Sequence, residues 1–331
     1  MINLIKNELI KIFSKKSIYI MLTIIFLVSI LTNVIYKYKL DENGNIKTTY
    51  YKEKSNDTYL EVAKENYEKY SDILKNTDKN SHEYKEYKSI IEVNKYILDN
   101  KINTNKINDT RGILINLFTE YELFLIILIV MIVGTIISEE FNKGTIKQML
   151  IKPYTRIQIL LSKYITSIIV ILFSIVVLIL FQLILGFIFK TLSTINVPVA
   201  IYNISKSKIE TYNVFNYLLI IIVNKLPMFI LIMTFVFLVG IITLNSQITI
   251  TLGLMLYIIS SIFNVTLLNI SLKISQFLIT TNWDFTTYLF GIEPKNIYLS
   301  LDKSLATCII YLLFTTILSF VIFNKKEVKN I

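Results

Sequence analysis

Residues 164–189 read YITSIIVILFSIVVLILFQLILGFIF, 26 positions without a charged side chain. A transmembrane helix needs about 20 predominantly apolar residues, so this stretch alone can cross a bilayer. The same feature recurs along the chain. Residues 17–36, 123–138 and 304–324 are uncharged runs of 20, 16 and 21, and 226–272 is one of 47, enough for two spans. Apolar character before 123 reaches back to Ile113. Spans are therefore expected at 17–36, 113–138, 164–189, 218–244, 247–271 and 304–324. The fold class that follows is an all-α polytopic membrane protein with six transmembrane helices. A soluble fold would need several buried helices with no polar face.

Distribution, not total composition, decides this class. The 331 residues are 53% hydrophobic, only a little above the roughly 45–50% of soluble domains. The first span is not a cleaved signal peptide, because its apolar run exceeds the roughly 7–15 residues of an h-region and no small-x-small site follows it. Cys308, the only cysteine, lies in the sixth span, so it has no intramolecular disulfide partner and is read as packing. The net charge of +10 invites a nucleic-acid reading, but 15 of the 34 basic residues lie in 37–112 beside 14 acidic ones. That segment is nearly neutral and has no basic stripe, so nucleic acid is not an expected partner.

Short basic segments stay in the cytoplasm. The segment before span one carries Lys6, Lys11, Lys15 and Lys16 against Glu8. Residues 139–163, EEFNKGTIKQMLIKPYTRIQILLSK, carry Lys143, Lys147, Lys152, Arg156 and Lys163 against Glu139 and Glu140. The tail carries Lys325, Lys326 and Lys329 against Glu327. Six spans place all three on one side, so both termini are expected in the cytoplasm of a cell-membrane protein. Residues 37–112 then lie outside, where a loop this long escapes the charge rule.

Three segments outside the spans have patterns of their own. In 1–16, Ile2, Ile5, Leu9, Ile12 and Phe13 fall on one helical face, with Asn3, Asn7, Glu8 and Lys11 opposite. This predicts an amphipathic helix lying along the inner leaflet, either a simple anchor or a lever joined to span one. In 37–112, Leu60, Ala63, Tyr67, Tyr70 and Leu74 are spaced 3, 4, 3, 4, and Tyr84, Tyr87, Ile91, Asn94 and Leu98 repeat that spacing with one polar break. The turn-rich stretch 76–81 separates them, which predicts an extracellular helical hairpin. It reads either as a coiled-coil spacer or as a recognition element. In 273–303 the apolar stretches are too short to span, and Trp283 is placed at the membrane–water interface. One or two re-entrant or interfacial helices are expected there, sealing the outer leaflet or forming a gate.

No energy source or catalytic motif is visible. None of the eight glycines opens a G-x-x-x-x-G-K-[ST] loop, and no metal cluster surrounds His82, the only histidine. The chain is therefore expected to be non-catalytic and to bind no cofactor itself. Ionisable residues in the spans are few. Glu122 stands 16 residues from Ser138, about 24 Å along a helix, which puts it near the outer edge of the hydrocarbon core. Lys225 falls about two turns into span four and either snorkels to the edge or lines a polar cavity. Pro227 follows it and softens that helix. Glu122, Lys225, Pro227 and Trp283 are the candidate pathway or gate residues.

The residues Glu140-Phe141-Asn142-Lys143-Gly144-Thr145-Ile146-Lys147-Gln148-Met149-Leu150, then Lys152-Pro153-Tyr154-Thr155-Arg156 and Leu160-Leu161-Ser162-Lys163, resemble the cytoplasmic loop of type-2 ATP-binding-cassette (ABC) exporter permeases, as in bacitracin and lantibiotic exporters. Asn7-Glu8-Leu9-x-Lys11 before span one also fits. The layout agrees: a large outer loop after span one, a tight inner turn between spans four and five, and a long outer loop before span six. The resemblance implies a permease subunit that works as a homo- or heterodimer, with ATP and Mg held by a separate cytoplasmic ATPase. Spans two and five would line the pathway, and the substrate would be amphiphilic, such as a peptide antibiotic or lipid-like compound. The residues themselves fit a coupling helix. Gly144 permits a tight turn or close approach, Ile146, Met149 and Leu150 form a short apolar edge, and Pro153 stops the helix. Glu139, Glu140, Phe141, Gly144, Thr145, Met149, Leu150, Pro153, Arg156 and Lys163 are the candidate ATPase-coupling residues. A membrane sensor or scaffold with a ligand-binding outer hairpin is the first rival. An ion-coupled carrier is the second, disfavoured by the shortage of buried carboxylates in the spans.

Overall fold

The computed structural model of the chain describes residues 1–37, 58–79, 81–102, 110–142, 154–189, 195–267, 273–292, 294 and 296–326. Six of its helices are long and apolar enough to cross a membrane: α2 (Lys16–Lys37), α6 (Leu117–Asn142), α7 (Arg156–Phe189), α8 (Val214–Thr243), α9 (Ser246–Leu267) and α11 (Leu301–Lys325). The chain is an all-α polytopic membrane protein. Shorter elements complete it: α1 (Ile2–Phe13), α3 (Thr58–Lys75), α4 (His82–Asn100), α5 (Thr110–Ile115), β1 (Val199–Asn203), β2 (Lys208–Tyr212) and α10 (Ile279–Asn282).

Side-chain contacts fix the direction of each span. Lys15, just before α2, meets Thr135 near the end of α6, and Thr32 near the end of α2 meets Tyr121 near the start of α6. These two helices are antiparallel. Gln182 of α7 donates to Ser29 of α2, Ser138 of α6 meets Thr249 of α9, and Arg156 at the start of α7 reaches Asn324 at the end of α11. The spans therefore alternate. One end of the bundle, called basal here, gathers α1, the two ends of the 143–153 connection, the α8–α9 turn and the end of α11. The other, distal, end carries α3, α4, the β-hairpin and residues 273–300.

Helix boundaries follow local chemistry. α7 begins eight residues before the uncharged run that predicts it. Thr155 and Gln158 form a reciprocal capping box: Gln158 N–H donates to Thr155 Oγ1 (3.2 Å) and Thr155 N–H to Gln158 Oε1 (3.0 Å). At 34 residues the helix is about 51 Å long, against a hydrocarbon core of about 30 Å, so its charged first turns lie beyond that core. Span two is shorter at its distal end than expected. Residues 110–115 form the separate helix α5, and α6 begins after a break at Asn116. The α8–α9 turn is closed by Leu244 in the left-handed region (φ 55°) and by Asn245, whose Oδ1 accepts from Gln247 and Ile248 N–H.

Burial sorts the spans into three classes. In α6 and α8, 67% of the apolar stretch is enclosed, against 39% in α7, 22% in α2 and 17% in α9 and α11. α6 and α8 are the core, α7 is intermediate, and the other three present apolar faces outward. Of the two spans expected to line a pathway, span two is thus among the most enclosed and span five among the least. α9 reaches the core through Gly253. A Cβ there would stand 2.6 Å from Val236 Cγ2 and 2.8 Å from Val130 Cγ1, so the helices approach as closely as small residues allow.

The distal end both matches and corrects the expectations. α3 and α4 form the expected antiparallel hairpin: Tyr59 OH donates to Lys101 O (2.6 Å), the Tyr70 and Tyr87 rings lie 5.5 Å apart, and Ser81 caps α4. Ala63, Ile91 and Asn94 are buried in its seam as predicted. A second face of α4, Val93 and Ile97, packs with Tyr202 of β1. That partner is a two-stranded antiparallel β-hairpin pairing Ala200 with Thr211 and Tyr202 with Ile209, which the span-centred reading did not anticipate. Residues 273–291 form two 3-10 turns flanking α10, in keeping with non-spanning helices. Trp283 is not an interfacial anchor. It is 1% exposed, inside the main apolar core, because Asn282 beside it is tied to Ser275 O, Leu278 O and Ser304.

The close approach of α9 makes a direct prediction. Gly253→Val should destabilise the bundle by about 1–3 kcal/mol through overpacking, read as a lower midpoint of thermal unfolding in detergent. Substitution at Ile258, exposed on the same helix, should leave the midpoint unchanged.

Candidate functional site

At the basal end four charged side chains close a ring. Lys163 Nζ, on the first turns of α7, lies 2.9 Å from Glu8 Oε2 of α1 and 2.7 Å from Glu140 Oε2 of α6. Lys11 Nζ lies 2.9 Å from Glu8 Oε1 and 2.7 Å from Glu140 Oε1. Each carboxylate thus bridges two ammonium groups and each ammonium two carboxylates. The approach of Lys163 to Glu140 is an ion pair outside hydrogen-bond geometry, while Lys163 also donates to Ile136 O (3.3 Å). Lys163 is 1% and Glu8 3% exposed. A second pair, Lys15 with Glu139 (2.9 Å), lies alongside.

The ring changes the reading of α1. The sequence puts Glu8 on the solvent face of a helix whose apolar side lies in lipid. In the structure the buried face is Leu4, Glu8 and Ile12, seated against α7, while Ile2 and Ile10 are exposed. The attraction of two lysines for Glu8 outweighs the amphipathic pattern. Phe13 joins them, its ring edge-on to Phe173 at 4.9 Å.

The candidate coupling residues separate by position. Glu139, Glu140 and Lys163 are engaged within the chain. Arg156 Nη1 donates to Asn324 O (3.0 Å) and Lys326 O (2.8 Å), and Lys326 Nζ reaches Ile241 O and Ile242 O. These four residues hold the ends of the connection in place. Gly144, Thr145, Met149, Leu150 and Pro153 lie outside the described residues, as does the side chain of Phe141.

At the distal end Lys225 is paired within the chain. Its Nζ lies 2.5 Å from Glu122 Oε2 and 2.6 Å from Asp284 Oδ2. Tyr257 OH donates to Glu122 Oε1 (2.8 Å), and Asp284 Oδ1 accepts from Thr286 N–H and Oγ1–H. Of the two sequence alternatives for Lys225, the polar cavity is the one present. A cavity of about 530 Å³ is lined by Phe118, Glu122, Tyr217, Lys225, Tyr257 and Phe290, among others. Pro227 sits two positions after Lys225 in α8 and supplies no N–H to the helix ladder. Trp283 neighbours Asp284 in sequence but faces the core. Asp284 was missed by sequence reasoning, although it is one of only two acidic residues between 226 and 300.

Charge and burial set the pH response of the ring. Burial alone would raise the Glu8 carboxyl, but Lys163 and Lys11 together hold it below its ordinary value. Burial opposes the charge on Lys11, and Glu140 and Glu8 overcome it and raise that ammonium's pKa. A depressed carboxyl contributes stability above its unfolded pKa and loses it as pH falls through the folded value. A raised ammonium contributes below its unfolded pKa and loses it as pH rises through the folded value. The unfolding midpoint should therefore hold across neutral pH and fall at both extremes, and Glu8→Gln should flatten the acid limb. Lys163→Met leaves two buried carboxylates on Lys11 alone and should cost about 3–5 kcal/mol. Thermal unfolding in detergent reads both.

Comparison with known proteins bears on these residues. A family profile described as "Protein of unknown function (DUF2705)" matches residues 84–329, which include Glu122, Glu140, Lys163, Lys225 and Asp284. The chain is similar to "Uncharacterized protein YhcI" of Bacillus subtilis (strain 168), 26% identical over 345 residues and covering 100% of both chains. No solved structure matches.

Proposed function

The chain belongs to the DUF2705 family; from its loop resemblance and its basal geometry we propose that it is the membrane-spanning subunit of an ATP-driven ABC exporter. The ATPase is a separate cytoplasmic chain that holds ATP and Mg, and this subunit performs no catalysis. The basal end faces the cytoplasm of a cell membrane, where the basic segments collect. The observation that carries the reading is the charge ring of Glu8, Lys11, Glu140 and Lys163, buried except at Lys11. It ties both ends of the 143–153 connection to α1, so force applied to that connection moves α1, α6 and α7 together.

Mechanism follows from the geometry of α6. Glu140 sits in the basal ring and Glu122 in the distal charge cluster of the same helix, 18 residues apart, about 27 Å. A helix is stiff over this length, so displacement of its basal end shifts Glu122 against Lys225 of α8 and Asp284. ATP-driven closure of the ATPases would push the 143–153 connection and so rearrange the distal cavity. Two copies of this subunit, or one with a related partner, enclose the pathway. An amphiphilic substrate suits walls that are apolar apart from that one cluster.

Affinity purification of the tagged chain from its native membrane should recover an ATPase bearing a G-x-x-x-x-G-K-[ST] loop. Met149→Asp with Leu150→Asp should abolish that recovery. Lys163→Met should leave the ATPase bound but remove the stimulation of its hydrolysis by the membrane subunit. Absence of any such ATPase, or transport that follows an ion gradient without nucleotide, would sink the exporter reading.

A further inference from the structure

Helix α1 has a second face that the charge ring does not use. Leu4, Glu8 and Ile12 are its buried side, seated on α7. Ile2, Lys6 and Ile10 follow one another at intervals of four, which puts them on one stripe of the helix, opposite that buried side. Ile2 is 81% and Ile10 57% exposed, and Lys6 between them is exposed as well. An apolar stripe with a lysine in its middle suits a helix lying in a membrane interface. Its aliphatic side chains enter the acyl boundary and its ammonium extends to the headgroups.

The neighbours of α1 put this stripe beside lipid. Phe13, at the end of α1, meets the exposed ring of Phe173 on α7. Its carbonyl accepts from Tyr19 OH of α2 (2.8 Å), and Tyr19 and Ile20 are exposed in turn. Both contacts are made with outward faces of spans, so α1 continues the lipid-facing surface of α2 and α7.

Charge decides which lipid. The basal segments 1–16, 139–163 and 325–331 hold twelve Lys or Arg and four Glu. That count includes the undescribed residues, which add Lys143, Lys147, Lys152 and Lys329 against Glu327 alone. Glu8, Glu139 and Glu140 are engaged by Lys11, Lys15 and Lys163. Lys6 and Lys16 are exposed and pair with no carboxylate among the described residues. Glu327 by itself cannot neutralise both. Basic side chains held at a bilayer surface gather anionic lipids.

We propose that the outer stripe of α1 is a docking surface for anionic phospholipid headgroups, gathered by Lys6 and Lys16 while Ile2 and Ile10 enter the acyl boundary. α1 is then held from two sides, by lipid on one face and by Glu8 in the ring on the other. That this makes coupling sensitive to the composition of the leaflet rests on the exporter reading. The lipid binding itself needs only this chain.

The test uses the full chain carrying Ile10→Trp, in phosphatidylcholine nanodiscs and with no ATPase present. A phospholipid brominated along its acyl chains is added as a minor component, with either a phosphatidylglycerol or a phosphatidylcholine headgroup. Trp283, the only native tryptophan, is buried in the core, so quenching of fluorescence reports the indole introduced by Ile10→Trp. The expected result is quenching by both lipids, stronger by about twofold or more for the phosphatidylglycerol form at equal mole fraction. Raised salt should shrink that excess, and Lys6→Gln with Lys16→Gln should remove most of it. All three substitutions are at exposed positions, and quenching by the phosphatidylcholine form, kept in the double variant, shows that α1 is still on the bilayer. No quenching by either lipid means that protein or water covers the stripe. Equal quenching means that charge does not select, and an excess unchanged by the double variant belongs elsewhere on the basal end. Each of these three results overturns the site. None involves an ATPase, so the copurification experiment still decides the exporter reading separately.

Discussion

A lysine that is 1% exposed must be matched by negative charge, and Lys163 sets the terms for the basal half of this protein. Removing an ammonium from water costs several kcal/mol even after the surroundings relax. Glu8 and Glu140 offset that cost from opposite sides, and Lys11 balances the second carboxylate charge. The sign alternates around the ring, so no member lacks an opposite neighbour. Three helices from distant parts of the sequence are joined as a result. α1 is held on α7, and the ends of α6 and α7 are held at a fixed separation across the connection between them.

The distal charge cluster is built differently. Lys225 has two close carboxylates, and a third, Glu120, lines the same cavity. The basal ring is balanced two against two, with Glu8 and Lys163 closed to solvent and Lys11 half exposed, which makes it a structural joint. The distal cluster borders open volume. α6 carries a carboxylate in each. In the proposed exporter, one rod therefore connects that joint to the distal cavity.

Much of the fold was legible because hydrophobic length is a local property. The runs at 17–36, 164–189 and 304–324 correspond to α2, α7 and α11 with shifts only at the charged ends, where capping rather than hydropathy decides. At the start of α7 it was the Thr155–Gln158 box that carried the helix past the apolar run. The hairpin 199–212 carries β-branched and aromatic residues around an Asn-Ile-Ser-Lys-Ser turn, a strand signal too short to stand out beside the long apolar runs. The sites were less legible because they are long-range. Glu8 looks solvated from α1 alone, and only Lys163, 155 residues later, shows why it is buried. Glu122 and Lys225 stood out as charges within apolar runs. Asp284 did not, since nothing in its own segment reveals that it faces Lys225. Trp283 was misplaced for the same reason: interfacial preference is an average, and the hydrogen bonds of Asn282 override it here.

The grip of Arg156 on the end of α11 has a consequence for how the protein is made. Its two acceptor carbonyls lie 168 and 170 residues further along the chain. When α7 first enters the membrane, those partners have not been synthesised. The guanidinium stays solvated on the basal side through the insertion of three more helices, and Lys326 then closes onto the end of α8 in the same step. Assembly of the basal face thus waits for the sixth span, which locks the third and fourth together.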